Sequence, residues 1–215
     1  MEDIRKEMRD LRRDFSYGTL DVKDVPKNPF DLLRTWLDDA VKLEIKDANA
    51  FVLSTAINNI PDARVVLIRD ITDKAIHFYT NYGSKKASEL EVNPNAAVNV
   101  FWADMDRQIR MQVEVKKLDK KLSDDYFKTR PRKSQIGAWA SIQSSALESR
   151  QKLEDRIEEL EKRFEGQEVP RPEFWGGYEL VPSYFEFWQG RPSRLHDRII
   201  YEGSVREWNT KRLYP

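Results

Sequence analysis

The sequence predicts a mostly β chain with flanking helices, its strands arranged as an antiparallel barrel. Three observations point there. The middle of the chain is a series of short apolar runs rich in β-branched and aromatic residues, residues 107–118 alternate cleanly between apolar and polar, and the connections between runs are short. Short strands joined by short turns suggest an antiparallel barrel rather than parallel βαβ units.

Taken in order, Ile4, Met8, Leu11 and Phe15 recur at helical spacing, predicting a short helix closed by Tyr17-Gly18. A second helix starts at Asn28-Pro29, asparagine as N-cap and proline in the first turn, with Phe30, Leu33, Trp36, Leu37 and Ala40 on its apolar face. Strands are predicted at 50–57, 63–69, 75–80 and 96–102. In the strand at 107–118, Ile109, Met111, Val113 and Val115 oppose Arg110, Gln112, Glu114 and Lys116. Helical patterning returns at 84–92, around 123–139 and at 146–165, where Leu153, Ile157, Leu160 and Phe164 share a face. Three further strands follow near 177–189, 196–202 and 204–213. No repeat or linker interrupts residues 1–215, which are expected to form a single domain, with 1–18 as its N-terminal helix.

Composition narrows the chemistry. Lysine plus arginine number 37 and aspartate plus glutamate 37, a neutral balance that disfavours a nucleic-acid coat or a membrane-surface role. The chain has no cysteine and 2 histidines, which excludes disulfides and thiolate chemistry and disfavours a metal site. No apolar run reaches the ~20 residues of a membrane span. The N-terminus mixes acids and bases, so a cytoplasmic location is expected.

Four stretches carry candidate chemistry. Gly83-Ser84 precedes a helix opening with Lys85 and Lys86, a pattern suited to phosphate and equally to an ordinary serine cap with exposed lysines. Arg64 and Arg69 are five apart, so on a regular strand one faces inward, where it needs an anion, or sits at a strand end. Tyr126, Arg130, Arg132 and Ser134 surround a proline turn, either a phosphate clamp or a basic surface turn. The segment 186–198 packs Trp188, Gln189, Arg194, His196, Asp197 and Arg198 between two strands, a candidate acid–base or ligand-orienting group whose alternative is an ion-paired turn.

RPRKSQIGAWAS with the following QSS, then FWGGY, then EFWQG with SRLHDR and a terminal RLYP, resemble the pyridoxine 5'-phosphate oxidase family over nearly the whole chain. That resemblance implies an FMN-binding split β-barrel, with two subunits building each cofactor site at their interface. It implies oxidation of pyridoxine or pyridoxamine 5'-phosphate by O2 to pyridoxal 5'-phosphate and hydrogen peroxide. Arg64, Lys86 and Ser144 would hold the FMN phosphate. Lys85, Tyr79, Thr80, Gln143 and the strand Val65, Val66, Leu67, Ile68 and Arg69 would lie close by. Gln108, Trp188 and Arg198 would lie near the flavin ring. Arg69, Tyr126, Arg130 and Ser134 would meet the substrate phosphate, and Arg194, Leu195 and His196 the pyridine ring. Arg194, His196 and Arg12 would be the catalytic group, Arg12 on a segment covering the substrate.

The chain departs from the family pattern at Arg69 (usually lysine), Lys85 (commonly arginine), Phe15 (typically tyrosine) and Val113 (usually glycine), and NNIPDAR lacks a glycine before its proline. Two other readings compete: a sister flavin oxidase such as those of phenazine biosynthesis, and a protein that stores FMN or pyridoxal phosphate.

Overall fold

The computed structural model describes residues 2–11 and 13–215. Its first helix, α1 (Glu2–Asp10), ends earlier than the apolar spacing predicts. Ile4, Met8 and Leu11 are exposed. Phe15 leaves the stripe to pack edge-on against Trp188 and His196, at ring-centroid distances of 5.8 and 5.2 Å. A short, highly charged helix has little intrinsic stability, so the aromatic contact decides where Phe15 goes.

Helix α2 (Pro29–Lys42) follows its sequence signal. Asn28 accepts a hydrogen bond from Phe30 N at 3.0 Å, and Pro29 occupies the first turn. Leu32 joins the buried face and Leu37 is only half-buried, a small rotation from the predicted stripe. Strands β1 (Ala50–Ile57) and β2 (Ile60–Leu67) form a hairpin in which Ile57 faces Ile60. Its two turn residues, Asn58 and Asn59, have φ of 51° and 61°. Asparagine tolerates this left-handed region, so the turn closes without the glycine expected there.

Strands β3 (Asp70–Ile71) and β4 (Ile76–Asn81), helix α3 (Lys85–Val92), β5 (Asn95–Trp102) and β6 (Arg107–Lys117) come next. In β6 the alternation is realised: Ile109, Met111, Val113 and Val115 are buried while Arg110, Gln112, Glu114 and Lys116 are exposed. Val113, standing where the family usually has glycine, is a core residue. The helical pattern around 123–139 is two helices, α4 (Lys120–Thr129) and α5 (Arg132–Ala140). Pro131 divides them by holding Arg130 in extended backbone, φ −72° and ψ 143°. Helix α6 (Arg150–Arg163) is capped by Ser149, which accepts from Lys152 N at 3.2 Å. Strands β7 (Trp175–Gln189), β8 (Asp197–Ser204) and β9 (Glu207–Leu213) complete the chain.

The nine strands form one antiparallel sheet in the order β2-β1-β5-β6-β7-β4-β3, with β8 pairing β7 and β9 pairing β8. The backbone groups into two compact units. One comprises residues up to Ala48, Asn99–Met111 and Tyr184–Pro215. Its core is aromatic: Phe30 on Phe185 at 5.3 Å, Trp36 on Phe187 at 5.2 Å, Phe187 on Tyr201 at 5.8 Å. The Tyr201 hydroxyl donates to Pro26 O at 2.7 Å, so the ring is buried with its polar end satisfied.

The other unit comprises Asn49–Val98 and Gln112–Ser183. Phe127, Ile136, Leu160, Phe164 and Trp175 pack as one cluster, with Leu153 and Ile157 against it. No described helix is long and apolar enough to cross a membrane. Phe187 is fully buried with three aromatic neighbours, so Phe187→Ala should lower unfolding stability by about 3–5 kcal/mol, read from urea denaturation.

Candidate functional site

In the second unit, β4 ends in a turn that feeds α3, and the loop after α5 is tied to that turn. Asn81 donates to Ser141 O at 3.2 Å and accepts from Gly83 N at 2.7 Å. Thr80 Oγ1 donates to Gln143 Oε1 at 3.0 Å, and Lys85 N donates to Ser144 Oγ at 3.1 Å. Ser144 is held at φ 72°, a left-handed conformation that costs energy for a non-glycine residue. Ser84 is buried and makes no side-chain cap bond, which removes the ordinary serine-cap reading of this helix start.

Lys86 Nζ donates to Thr80 Oγ1 at 3.2 Å and Gln143 Oε1 at 3.1 Å. Among the described residues no carboxylate lies within salt-bridge range of it. Burial and then the charge of Arg64 push its pKa down, against an upward pull from Glu89. Arg64 faces inward from β2, and its counter-ion belongs to this chain. Arg64 donates to Glu89 Oε2 at 3.0 Å, Thr55 Oγ1 at 2.6 Å and Leu53 O at 3.2 Å, and pairs with Asp62 at 2.8 Å. Lys85 is exposed and pairs with Asp62 at 2.7 Å, which helps hold the Asp62 carboxyl down to about 2. A half-buried ammonium beside neutral oxygens, next to an oriented guanidinium, fits a phosphate dianion.

A second cationic cluster lies in the same unit. The rings of Tyr79, Tyr126 and Trp175 stack, Tyr79 on Tyr126 at 3.8 Å and Tyr126 on Trp175 at 6.2 Å. Burial pushes the Tyr79 hydroxyl up to about 12. The Arg130 guanidinium sits 4.5 Å from the Trp175 centroid, and its Nη1 is buried with no hydrogen-bond partner. Burial, and then the charge of Arg69, oppose its ionised form, while Tyr126 favours it. Arg69 lies exposed beyond the end of β2, the strand-end option, and Ser134 is half-buried in α5. Arg132 turns away to cap carbonyls, donating to Phe164 O at 2.6 Å and Gln167 O at 2.8 Å. Val65 is exposed, Val66 and Leu67 half-buried, and Ile68 core.

The first unit brings together the remaining residues. His196 lies 4.6 Å from Trp188, centroid to centroid, and its Nδ1 accepts from Arg191 N at 3.1 Å. That bond places the neutral ring's proton on Nε2. Burial and then Arg194 push the His196 pKa down, while Asp106 pulls it up. Ser193 and Arg194, at φ 56° and 61°, are successive left-handed residues that project Arg194 and Leu195 into solvent. Arg13, Phe15, Arg194 and His196 line an open cleft of about 450 Å³ with Leu11. Gly190 permits the approach of Phe15, because a Cβ there would lie 2.6 Å from its ring. Arg198 donates from Nε to Glu186 Oε1 at 2.8 Å and from Nη1 to Tyr214 O at 2.8 Å. Gln108 is half-buried in β6. Arg12 lies outside the described residues.

Sequence reasoning missed three buried carboxylates: Glu89, Glu186 and Asp106. Glu186 accepts from Arg198, Arg110 and, at 3.0 Å, the Tyr184 hydroxyl. Asp106 meets Arg13 at 2.6 Å and accepts from Ser16 N at 3.1 Å. A signal existed for Glu89, which interrupts the apolar side of α3 between Ala87 and Leu90. No group of three metal-ligating side chains occurs among the described residues.

An antiparallel split barrel with two separate cationic clusters defines a protein class that handles phosphorylated ligands. Residues 37–164 match the family model described as pyridoxamine 5'-phosphate oxidase, and residues 175–215 match the pyridoxine 5'-phosphate oxidase C-terminal dimerisation region. The chain belongs to this family. It is 43% identical over 215 residues to the pyridoxine/pyridoxamine 5'-phosphate oxidase of Rubrobacter xylanophilus, covering 100% of this chain and 99% of that one. It is 44% identical to the enzyme of the same description from Cytophaga hutchinsonii, covering 99% and 100%. Among solved structures, PhzG from Burkholderia lata 383, in complex with tetrahydrophenazine-1-carboxylic acid, superposes with TM-score 0.85 at 30% identity, covering 92% and 100%. An FMN-binding protein from Nostoc punctiforme, at 14% identity and TM-score 0.69 over 89% and 100%, shares the fold.

The electrostatics of His196 are testable by NMR titration of its ring. Arg194→Ala removes a positive neighbour and should raise the His196 pKa; Asp106→Asn removes a negative one and should lower it. Identical titration in all three proteins would show that neither charge reaches the ring.

Proposed function

We propose that this chain oxidises pyridoxine or pyridoxamine 5'-phosphate to pyridoxal 5'-phosphate, with FMN as cofactor and O2 as the final acceptor, releasing hydrogen peroxide. The observation that carries the reading is the presence of two cationic clusters in one unit. One surrounds Lys86 and the other surrounds the unpartnered Arg130 Nη1. A phosphorylated cofactor and a phosphorylated substrate need two such places, whereas a substrate without phosphate leaves the second unexplained. That cluster also favours this reading over a phenazine-type substrate.

In the proposal, Lys86, Arg64 and Ser144 hold the cofactor phosphate, with Thr80 and Gln143 orienting the Lys86 ammonium. Arg130, Arg69, Tyr126 and Ser134 receive the substrate phosphate. Trp188, Gln108 and Arg198 face the flavin ring, and Arg194 and His196 meet the pyridine ring. Bound FMN supplies the acceptor for a hydride equivalent from C4' of the substrate. The protein's part is mainly positioning. His196, neutral with its proton on Nε2, offers a donor to the pyridine substituents, and Arg194 projects a charge beside it. Phe15 shields the edge of His196 from water. The working form is a homodimer, in keeping with the matched dimerisation region, with FMN bound at the subunit interface. The proposal includes a cytoplasmic location.

If Lys86 and Arg64 hold the phosphate, the double variant Lys86→Ala/Arg64→Ala should purify colourless; full retention of the flavin spectrum refutes the assignment. Arg194→Ala should keep its yellow cofactor while turnover, followed by peroxide release, falls about 100-fold. Unchanged turnover would remove Arg194 from the substrate site.

A further inference from the structure

Glu89 is the most deeply buried acid of the phosphate cluster, its side chain 7% exposed. An isolated carboxylate at that depth is costly, and one beside a pocket meant for an anion also repels its ligand. Its contacts show what offsets the cost. Oε2 accepts from the Thr55 hydroxyl at 2.6 Å and from Arg64 Nη2 at 3.0 Å. Thr55 Oγ1 in turn accepts from Arg64 Nη1 at 2.6 Å, closing a ring of three side chains from β1, β2 and α3. Leu53 O takes a further bond from Nη1 and Asp62 pairs with Nη2. Both terminal nitrogens are therefore held by this chain, which fixes the orientation of the guanidinium and leaves its charge and its Nε–H, rather than the terminal fork, to meet a phosphate. Lys85 completes the surroundings, its Nζ 3.6 Å from Glu89 Oε1.

We propose that Glu89 is a positioning residue for the cofactor phosphate, acting through Arg64: with Thr55 it clamps the guanidinium in the geometry that receives the phosphate. This rests on the reading that Arg64 and Lys86 form the phosphate pocket. Without the clamp, an arginine side chain regains rotamer freedom that phosphate binding must remove again. Glu89 also pulls upward on the pKa of Lys86, opposing burial and Arg64. The clamp is specific to the phosphate end of the cofactor. It should therefore matter for FMN and not for riboflavin, which carries the same ring system without phosphate.

The test compares dissociation constants of the full-length protein for FMN and for riboflavin, by flavin fluorescence, in wild type, Glu89→Ala, Glu89→Gln and Thr55→Val. The expected result is an FMN affinity weakened about tenfold or more in Glu89→Ala, with riboflavin affinity unchanged. Glu89→Gln, whose amide oxygen still accepts, should recover part of the loss. Thr55→Val, nearly isosteric, should show a smaller FMN-specific loss and keeps the test open if Glu89→Ala does not fold. Equal losses for both ligands mean a general structural role and overturn the proposal. An FMN affinity unchanged or tightened in Glu89→Ala also overturns it, since Glu89 would then be only a repelling charge. Arg64→Ala separates the two levels. If it leaves FMN binding intact, the phosphate reading itself fails; if it weakens FMN alone while the Glu89 and Thr55 variants do not, only the clamp fails.

Discussion

Charge taken out of water must be matched, and this chain matches it in pairs whose exceptions are as informative as the rule. Each of the three buried carboxylates among the described residues holds a cation: Glu89 holds Arg64, Glu186 holds Arg198, and Asp106 holds Arg13. In each pair the acid is the more buried partner, with side-chain exposures of 7%, 3% and 5%. The acid is therefore the fixed point and the longer cation the part that is aimed. Lys86 and Arg130 stand apart from this rule. Both are partly desolvated, and among the described residues neither has a carboxylate within salt-bridge range. Those two partly desolvated cations are the positions where a bound anion would supply the matching charge.

Left-handed backbone recurs in the same regions, as it does at Glu44 and Asp47 outside them. Ser144, Ser193, Arg194 and Asp106 adopt positive φ, and none is glycine. Such conformations persist only where surrounding contacts over-determine them. For Ser144 those contacts include the hydrogen bond from Lys85 N; for Asp106 they are the bonds from Ser16 N and the packing under Gly190. The turn at Asn58-Asn59 uses the same backbone region with residues suited to it, so it is ordinary hairpin geometry. The distinction lies in the side chain: asparagine relieves the strain locally, whereas serine and arginine need tertiary support.

Much of the fold was legible because period and turn chemistry are local. The alternation in β6, the cap at Asn28 and the break at Pro131 are each set by a few adjacent residues. The reach of α1 was not, because Phe15 is claimed by Trp188 and His196, rings more than 170 positions away in the chain. Within the site most cations were legible, Arg13 excepted, and their acids were not singled out, although Glu89 interrupts the apolar side of α3. An arginine or lysine beside glycine or proline suggests anion binding by residue type alone. Glu89 is one of 37 acidic residues, and its burial follows from the β1–β2 hairpin meeting α3, a tertiary event. Arg64 illustrates the limit: an inward arginine implies an anion, but spacing cannot say whether that anion is a ligand or a glutamate 25 residues on.

The departures from the family pattern take on physical meaning in this light. Lys85 in place of arginine loses a bidentate donor, yet its ammonium is exposed and spent on Asp62, so the phosphate cluster depends little on it. Phe15 in place of tyrosine loses a hydroxyl but keeps the perpendicular ring contact with His196. Arg69 in place of lysine is different in kind. Its guanidinium opposes the ionised form of Arg130, less strongly than burial does and less than Tyr126 favours it. Its planar fork can meet an anion with two parallel N–H donors, where a lysine presents a point charge.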